Sequence, residues 1–495
     1  MVTNINDTQK LVRALGLLAA VSIIIGNVIG TGVFLKARVM TCNLGSPTWV
    51  IIAWIAAGLL SLAGALTYAE LTAMKPEAGG EYVFLRDAFG KASSFLYGWM
   101  QMFIAKPGSQ AAAAVAFAIG MNDFLGGKVA ETVFLKTTLF GSAFEIGLLQ
   151  IVAIMVIVIF TTINCATVSL SGQIAAILTG VKIFLILFVG FGAFLFVTGG
   201  GDFGHFSMVE AGGTCTDVTV RYGAQGYSFA AGFAAAMIGA LWGYDGWNNL
   251  TFVAGEVKNP NRNIPLAIIG STILIIVLYV FVHIGYFYVL DPTAIASVPK
   301  SSSVAMFIVS KFFGGNIATF ATGVAVAIFT VGLMLSSLGT LHTSILAGSR
   351  VPYAMAQDGL MHRGLAKLSA THVPVRALIL QGIFAIVLAL SGSFDTLTNY
   401  VVFGSWIFYG LVTASIFVFR RKYPDAVRPY RAFGYPVIPV LFLLVTAWLL
   451  ISTVSNEPKQ SFIGIILILL GLPVYYYLAK KREGEAQRVE EHIEE

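Results

Sequence analysis

Two glycine-broken stretches decide how this chain folds: GNVIGTGVF at residues 26–34 and WGYDGWNN at residues 242–249. Each interrupts an apolar run that otherwise has the composition of a membrane-spanning helix. Glycine weakens the interior of a helix, and unwound backbone inside a bilayer is tolerated only where it is buried in protein or lines a cavity. The two stretches therefore predict two broken helices that line a cavity.

The composition is that of a membrane protein. Of the 495 residues, 57% are hydrophobic and only 11% are charged, whereas about a quarter of the residues of a soluble protein are charged. Apolar runs of about 20 residues, the length that spans a bilayer, recur along nearly the whole chain. The net charge of +6 is spread over the segments between them, which indicates membrane orientation rather than nucleic-acid binding.

The apolar runs predict an all-α membrane protein with twelve transmembrane helices. The predicted spans are 15–36, 48–73, 92–119, 144–163, 170–198, 229–254, 264–290, 317–347, 375–391, 396–419, 435–454 and 461–479. The first break opens spans one to five, and the second opens spans six to ten. Because an odd number of spans reverses the following half, we expect a five-plus-five inverted repeat with broken helices 1 and 6, and then two further helices.

This arrangement divides the chain into six segments. They are a cytoplasmic N-terminus at 1–14, a first repeat (helices 1–5) at 15–198, an outer loop at 199–228, a second repeat (helices 6–10) at 229–419, helices 11 and 12 at 420–480, and a cytoplasmic tail at 481–495. Of the 30 lysines and arginines, 20 fall on the side of the termini, 8 on the other side, and 2 inside spans. Since basic residues accumulate on the cytoplasmic side, we expect a multi-pass protein of the plasma (inner) membrane with both termini in the cytoplasm.

The first break offers hydrogen-bond donors. Gly30, Thr31 and Gly32 leave backbone N–H groups free where a half-helix begins, and such a helix end attracts a carboxylate. The hydroxyl of Thr31 adds another donor. Close helix packing through small residues is the alternative explanation of these glycines, but the matching break in span six favours a ligand site.

The second break offers acceptors and a lid. Carbonyl groups around Trp242 and Gly243 can accept hydrogen bonds from an ammonium group, and Trp242 can close over a ligand, with Tyr244 crowding the same stretch. Asp245 is the one acid in the middle of this span, where a buried carboxylate is costly and is by default a functional residue. Three roles stay open for it: reading a cationic side chain, holding a neighbouring loop, or binding a proton.

Two lysines and a histidine also lie deep in spans. Lys182 either snorkels to the inner surface or places its ammonium among carbonyls of the first broken helix and hydroxyls of span eight, such as Ser336 and Ser337. In the second arrangement it does structurally what a bound sodium ion could do, and proton coupling is conceivable. The role of Lys106 stays open, whereas His342 is better explained by packing than by a proton relay.

Patterns typical of enzymes and metal sites are absent from the sequence. It contains no P-loop, no GxSxG, no HExxH and no cysteine cluster, and it has no convincing strands. We therefore expect no catalysis, metal or cofactor. The three cysteines, Cys42, Cys165 and Cys215, show no metal spacing, and a disulfide between Cys42 and Cys215 is not deducible from the sequence.

Short motifs are distributed along nearly the whole chain. They are IGTGVF at 29–34, AEL at 69–71 with Pro76, GG at 79–80 and Tyr82, KPGS at 106–109, YDGWN at 244–248, GEVKNP at 255–260, NIP at 263–265, and Arg350 with AMA at 354–356 and DG at 358–359. Together they resemble the amino acid–polyamine–organocation (APC) superfamily and, within it, the L-type amino acid transporter (LAT) branch.

This resemblance implies the LeuT-type fold and sodium-independent transport or exchange of L-amino acids, expected to be neutral ones, by alternating access. By matching positions, the substrate carboxylate would meet Thr31 and Gly32. The amino group of the substrate would meet the backbone carbonyls around Val28, Ile29, Trp242 and Gly243. Trp242 would be the outer gate aromatic, and Lys182 matches a lysine that resembles a replacement for a sodium site.

The sequence is less typical of a channel, of a polyamine or cationic amino acid carrier, and of a membrane enzyme. A channel needs a continuous polar pore, and a polyamine or cationic amino acid carrier on the same fold should need more buried acids than Asp245 alone. A membrane enzyme would need paired acids or a nucleophile with its base.

Two departures from the resemblance matter. Eukaryotic LAT members pair with a glycoprotein through a cysteine after helix three, but 120–143 contains none, so we expect a prokaryotic-type protein without a disulfide-linked heavy chain. His342 stands where similar sequences often carry Asn.

Overall fold

The computed structural model describes residues 13, 15–77, 79–139, 142–166, 171–198, 200–210, 215–369, 373–391 and 394–480. The predicted tail and all but one residue of the predicted N-terminal segment lie outside these ranges. Within them the chain is mainly helical, and Pro47 and Pro260 each occupy the first position of a long helix, where the missing N–H costs no hydrogen bond.

The helices and strands follow one another in this order. The first half contains α1 (Leu17–Val28), α2 (Gly32–Leu35), α3 (Ala37–Leu44), α4 (Pro47–Met74), α5 (Glu81–Phe89), α6 (Lys91–Met100), a π-helical turn (Gln101–Ala105), α7 (Lys106–Phe124), α8 (Lys128–Glu131), β1 (Val133–Leu139), β2 (Ser142–Gly147), α9 (Leu148–Ala166), α10 (Ser171–Leu195) and a 3-10 turn (Phe203–Ser207). The second half contains α11 (Phe229–Tyr244), a 3-10 segment (Asn249–Glu256), α12 (Pro260–Val289), α13 (Pro292–Ala296), α14 (Val304–Val309), α15 (Phe320–Gly348), α16 (Arg350–Gln357), a 3-10 turn (Arg363–Ala366), α17 (Val375–Ser391), α18 (Phe394–Lys422), α19 (Val437–Asn456) and α20 (Pro458–Leu469).

Ten helices in the described ranges are long and apolar enough to cross a membrane. The two other predicted spans contain shorter helices. The first is α11, which has 16 residues and ends at the second break, and the second is α17, which has 17 residues. The count of twelve spans therefore stays a prediction.

Three helices, α10, α12 and α15, pack against α1, which ends at the first break. α12 lies against α1, α4 and α10, and α10 also lies against α15. α7 packs on α9, α15 and α17, using buried small residues that include the run from Ala111 to Ala114. Small residues let membrane helices approach closely, which gains van der Waals contact where lipid gives no hydrophobic drive to associate.

One expectation about strands was wrong. β1 and β2 pair as an antiparallel hairpin, and α9 begins at Leu148 rather than at the predicted 144. The run VFLKTTL of β1 is rich in β-branched and aromatic residues, a composition that favours strands, and it could have been recognised. Lys136 and Glu145 are cross-strand partners whose charged groups lie 2.6 Å apart.

A disulfide fastens the predicted outer loop to α3. Cys42 and Cys215 are bonded and buried. Two residues further on, Asp217 accepts two hydrogen bonds from Arg38, of 3.0 and 2.8 Å, and lies 3.0 Å from Lys300. Burial opposes ionisation here, but the hydrogen bonds from Arg38 and Lys300 hold the pKa of the Asp217 carboxyl below its ordinary value. The loop is thus joined both to α3 and to the segment before α14.

The disulfide predicts a definite thiol count. When the purified protein is denatured without reductant, we expect maleimide to label one cysteine, Cys165, and to label all three after reduction. Intact-mass spectrometry gives the count directly. A Cys165→Ala control should show none before reduction and two after it, and three labels without reductant would contradict the pairing.

Candidate binding site at two helix breaks

Both interruptions lie within the stretches quoted from the sequence. α1 ends at Val28, residues 29–31 are not helical, and the chain becomes helical again at Gly32, where α2 begins. α11 ends at Tyr244, and the chain resumes as the 3-10 segment at Asn249. Gly246 has a φ of 107°, a conformation that side chains with a Cβ rarely adopt, so glycine is required at this point of the break.

The two breaks touch each other. A Cβ added to Gly32 would lie 2.7 Å from the Cα of Gly243 and 2.9 Å from the Trp242 ring. A Cβ on Gly246 would lie 3.1 Å from the Cβ of Asn27. Residues about 210 positions apart in the sequence thus meet backbone to backbone, and the glycines are what permits that approach.

Tyr279 of α12 bridges the breaks, and the sequence did not reveal it. Its hydroxyl lies 2.9 Å from the carbonyl oxygens of both Val28 and Gly243. Two of the carbonyls expected to receive an amino group therefore already face a hydroxyl donor. A third, the carbonyl of Trp242, accepts the backbone N–H of Asp245 at 3.2 Å. A tyrosine in an apolar span often has a buried polar partner, which was the available signal.

The first break keeps a donor for a ligand. Thr31 is 3% exposed, and its carbonyl accepts the N–H groups of Phe34 and Leu35 at 3.1 Å each. Its hydroxyl donates to no other residue in the described part of the chain. Ile29 is buried beside it, and its N–H donates to Ile25 at 2.8 Å. The hydroxyl of Thr31 is thus available to a carboxylate.

Trp242 is covered by residues at the start of α18. Its ring stands edge-on to the ring of Phe394, with centroids 6.2 Å apart. Lys36, which directly follows α2, is 1% exposed and lies 5.1 Å from the centre of the Phe394 ring. The Lys36 ammonium donates to Asp395 at 2.7 Å and to Thr398 at 2.6 Å. Lys36 therefore joins the end of α2, after the first break, to the start of α18, whose Phe394 contacts Trp242.

Asp245 is held by a tyrosine. The hydroxyl of Tyr409, in α18, donates to its carboxylate at 2.8 Å. Lys106, which directly follows the π-helical turn, contributes a favourable charge and has its ammonium 5.2 Å from the centre of the Phe252 ring. The partner of Asp245 thus lies in a helix, α18, and not in the neighbouring loop that was one of its three open roles.

Lys182 is buried against the first break. It is 1% exposed, and its ammonium donates to the carbonyl of Gly26 at 2.6 Å and to the hydroxyl of Thr340 at 2.9 Å. Lys182 therefore reaches the first broken helix and does not snorkel to the inner surface. Its partner in α15, however, is neither of the two expected serines. The hydroxyl of Ser337 donates to Leu333 in its own helix at 2.8 Å, and that of Ser336 has no partner in the described ranges. Thr340, one turn beyond Ser336, is the residue of α15 that faces the break.

His342 has a hydrogen-bonding partner in a neighbouring helix. The amide nitrogen of Asn164 lies 3.1 Å from His342 Nδ1, so the ring has a local packing partner. Among the described residues, no group of three or more His, Cys, Asp or Glu side chains is placed to hold a metal ion.

Comparison with known proteins gives the same classification along the whole chain. The family model described as amino acid permease matches residues 15–472. The b(0,+)-type amino acid transporter 1 of Mus musculus is 30% identical over 485 residues, which is 97% of this chain and 91% of the relative. The Large neutral amino acids transporter small subunit 2 of Mus musculus is 29% identical over 475 residues, covering 94% and 80%.

The Tyr279 bridge predicts a difference between two tyrosines of one aromatic cluster. Tyr279→Phe leaves two buried carbonyls without this donor and should lower the free energy of unfolding by about 1–3 kcal/mol. Tyr244 lies 5.1 Å away between ring centroids, and its buried hydroxyl has no partner in the described ranges. Tyr244→Phe should therefore cost little or stabilise.

The measurement is the apparent unfolding temperature of each variant in one detergent. Equal shifts for the two variants would show that the bridge does not support the breaks.

Proposed function

The chain belongs to the amino acid permease family, and from this we propose that it is a sodium-independent secondary transporter of neutral L-amino acids. It works by alternating access, as an exchanger or coupled to protons. The observation that carries the proposal is the contact between Gly32 and Gly243, because it sets donors of the first break beside acceptors of the second. A zwitterionic amino acid has one group for each.

In this proposal each break recognises one end of the substrate. The carboxylate meets the hydroxyl of Thr31 and the N–H of Gly32, where the positive end of a half-helix supports it. Gly30 lies beside them, and its N–H also faces the hydroxyl of Tyr279. The ammonium meets carbonyl oxygens around Ile29, Val28 and Gly243. Tyr279 does not exclude this, because a carbonyl oxygen has two lone pairs and accepts a second hydrogen bond.

The position of Lys182 supports the proposal of sodium independence. Its ammonium already donates to two oxygens of the kind a sodium ion needs, those of Gly26 and Thr340. A sodium ion placed among the same oxygens would meet a like charge at close range. The lysine therefore supplies permanently the positive charge that a bound ion would supply in each cycle.

Neutral side chains are favoured over cationic ones by the surroundings of Asp245. Its carboxylate accepts the hydroxyl of Tyr409 and is partly compensated by Lys106, so it is less free to bind a second cation. This argument weighs against the polyamine or cationic amino acid carrier, which is the second candidate on the same fold.

The closure of the outer side would combine a lid with an ion pair. Trp242 covers the breaks, Phe394 covers Trp242, and Lys36 joins the first half-helix to Asp395. Opening towards the outside would separate α2 from α18 and break this ion pair. The closure thus depends on contacts between a half-helix and its neighbour, which a small movement can make or remove.

The architecture that we propose around this site is the LeuT-type inverted repeat with twelve spans. Both termini lie in the cytoplasm of a plasma-membrane protein, and lipid surrounds the helices. The bond between Cys42 and Cys215 supports an outer position for both residues, since disulfides persist outside the cytosol. Because these cysteines bind each other, we also propose that no heavy chain is attached by a disulfide.

Counterflow in proteoliposomes tests the function. Vesicles loaded with an unlabelled neutral L-amino acid should accumulate the labelled one from outside, at an unchanged rate when choline replaces sodium. A competition panel of the common amino acids identifies the side chain, and a pH gradient separates exchange from proton coupling. Transport that requires sodium, or that saturates with no amino acid, would contradict the proposal.

A lysine pair provides the control within this assay. Lys182→Ala should lower turnover at least about tenfold, because a buried charge-assisted anchor of the first break is lost. Lys311→Ala, at an exposed position, should leave transport unchanged. Equal transport rates for the two variants would show that Lys182 has no particular role in turnover.

A further inference from the structure

A buried carboxylate lies on the side of the second break away from Lys36. Glu81 is the first residue of the short helix α5 and is 0% exposed. The chain reaches it through Gly79 and Gly80, both with positive φ, of 107° and 48°. Those conformations favour glycine. The two glycines therefore allow a sharp turn directly before Glu81, which places the Glu81 side chain inside the protein.

Three donors from three different elements converge on this carboxylate. The hydroxyl of Tyr68 in α4 donates at 2.9 Å, and the amide of Asn248 at the second break donates at 2.8 Å. The hydroxyl of Tyr97 in α6 donates to the other oxygen, and Tyr97 itself accepts from Gln101 at 3.0 Å. No lysine or arginine in the described ranges is within ion-pair distance of Glu81.

Burial and hydrogen bonding act on this carboxyl in opposite directions. Burial raises the pKa of the Glu81 carboxyl, and the hydrogen bonds from Tyr97, Asn248 and Tyr68 oppose that shift. An ionised carboxylate has the lone pairs to accept all three bonds at once. The three donors therefore compensate for the burial of the group.

The turn before Glu81 also covers the 3-10 segment that follows the break. The N–H of Gly79 faces the carbonyl of Phe252 at 3.4 Å. A Cβ on Gly80 would lie 2.3 Å from the hydroxyl of Thr251, so the two backbones are in close contact. Thr251 is 0% exposed. Any movement of this segment away from α5 would uncover Thr251 and break the bond from Asn248.

The same helix is also joined to a further element. Tyr82 donates to Asp358, just beyond α16, at 2.7 Å, and Arg86 lies 3.3 Å from the same carboxylate. α5 therefore spans from the second break to the end of α16, and Glu81 is its attachment to the break.

We propose that Glu81 is a latch that holds the inner half of the second broken helix against α4 and α6, and so keeps the cytoplasmic side of the site closed. The idea rests on the proposed function for its purpose, since only a protein with alternating access needs an inner closure. Glu81 acts through Asn248 and Tyr97 and is a positioning residue, not one that touches the substrate.

Thiol labelling measures the latch without reference to any substrate. In a Cys165→Ala background, Thr251→Cys introduces a nearly isosteric thiol under the Gly80 turn. Glu81→Gln removes the negative charge and replaces one accepting oxygen by an NH2 group, so that at least one of the three donors loses its acceptor. Labelling of the thiol by a membrane-impermeant maleimide from the cytoplasmic side should then accelerate about fivefold or more.

A second variant and a control make the test specific. Tyr97→Phe removes one donor and should accelerate labelling by a smaller factor. Glu77→Gln, on the exposed part of the same connection, should leave the rate unchanged. A merely structural role would lower the unfolding temperature of the Glu81 and Tyr97 variants without changing the rate below that temperature.

The outcomes separate the latch from the function. Unchanged labelling in folded Tyr97→Phe and Glu81→Gln would overturn the latch, and if Glu81→Gln fails to fold, Tyr97→Phe decides alone. Absence of amino acid counterflow in the unmodified protein would overturn the proposed function, while the labelling rates would still report on the contact.

Discussion

A bilayer offers no water to the backbone, and this constraint governs everything around the two breaks. A helix that unwinds in lipid must find partners for its N–H and C=O groups inside the protein. Here Tyr279 supplies a hydroxyl to Val28 and Gly243, and Lys182 supplies an ammonium to Gly26. Each partner comes from a neighbouring helix, so the packing of α10 and α12 against α1 is what allows the breaks to exist.

The same packing places the two closures that we propose on either side of the breaks. Lys36 joins the half-helix after the first break to α18, and Glu81 joins the segment after the second break to α4 and α6. Both closures use a charged group that is buried among hydrogen-bonding partners. Such contacts are strong while complete and weak once one partner is withdrawn, which suits elements that must alternate between two arrangements.

The sequence predicted the breaks because their cause is local: several glycines close together weaken a helix, whereas single glycines such as Gly58 and Gly64 lie inside the continuous helix α4. It also offered contact of Lys182 with the first break as one of two arrangements, since a lysine deep in a span needs either oxygen partners or a path to the surface. It did not identify Thr340 or Tyr279, because those contacts depend on the rotation of α15 and α12 about their axes. It missed the hairpin although β1 carries a strand-like composition, since β1 lies between two predicted spans and residues 144–147 of β2 run directly into the apolar residues of the predicted fourth span.

The central claim is that each break binds one end of an amino acid, and ligand analogues test it most directly. The amino acid that competes best in proteoliposomes should be compared with its amine, which lacks the carboxylate, and with its carboxylic acid, which lacks the ammonium. The account predicts that each analogue binds at least about tenfold more weakly than the amino acid, because each loses charge-assisted hydrogen bonds to one break. An amine or an acid that competes as well as the amino acid would contradict it.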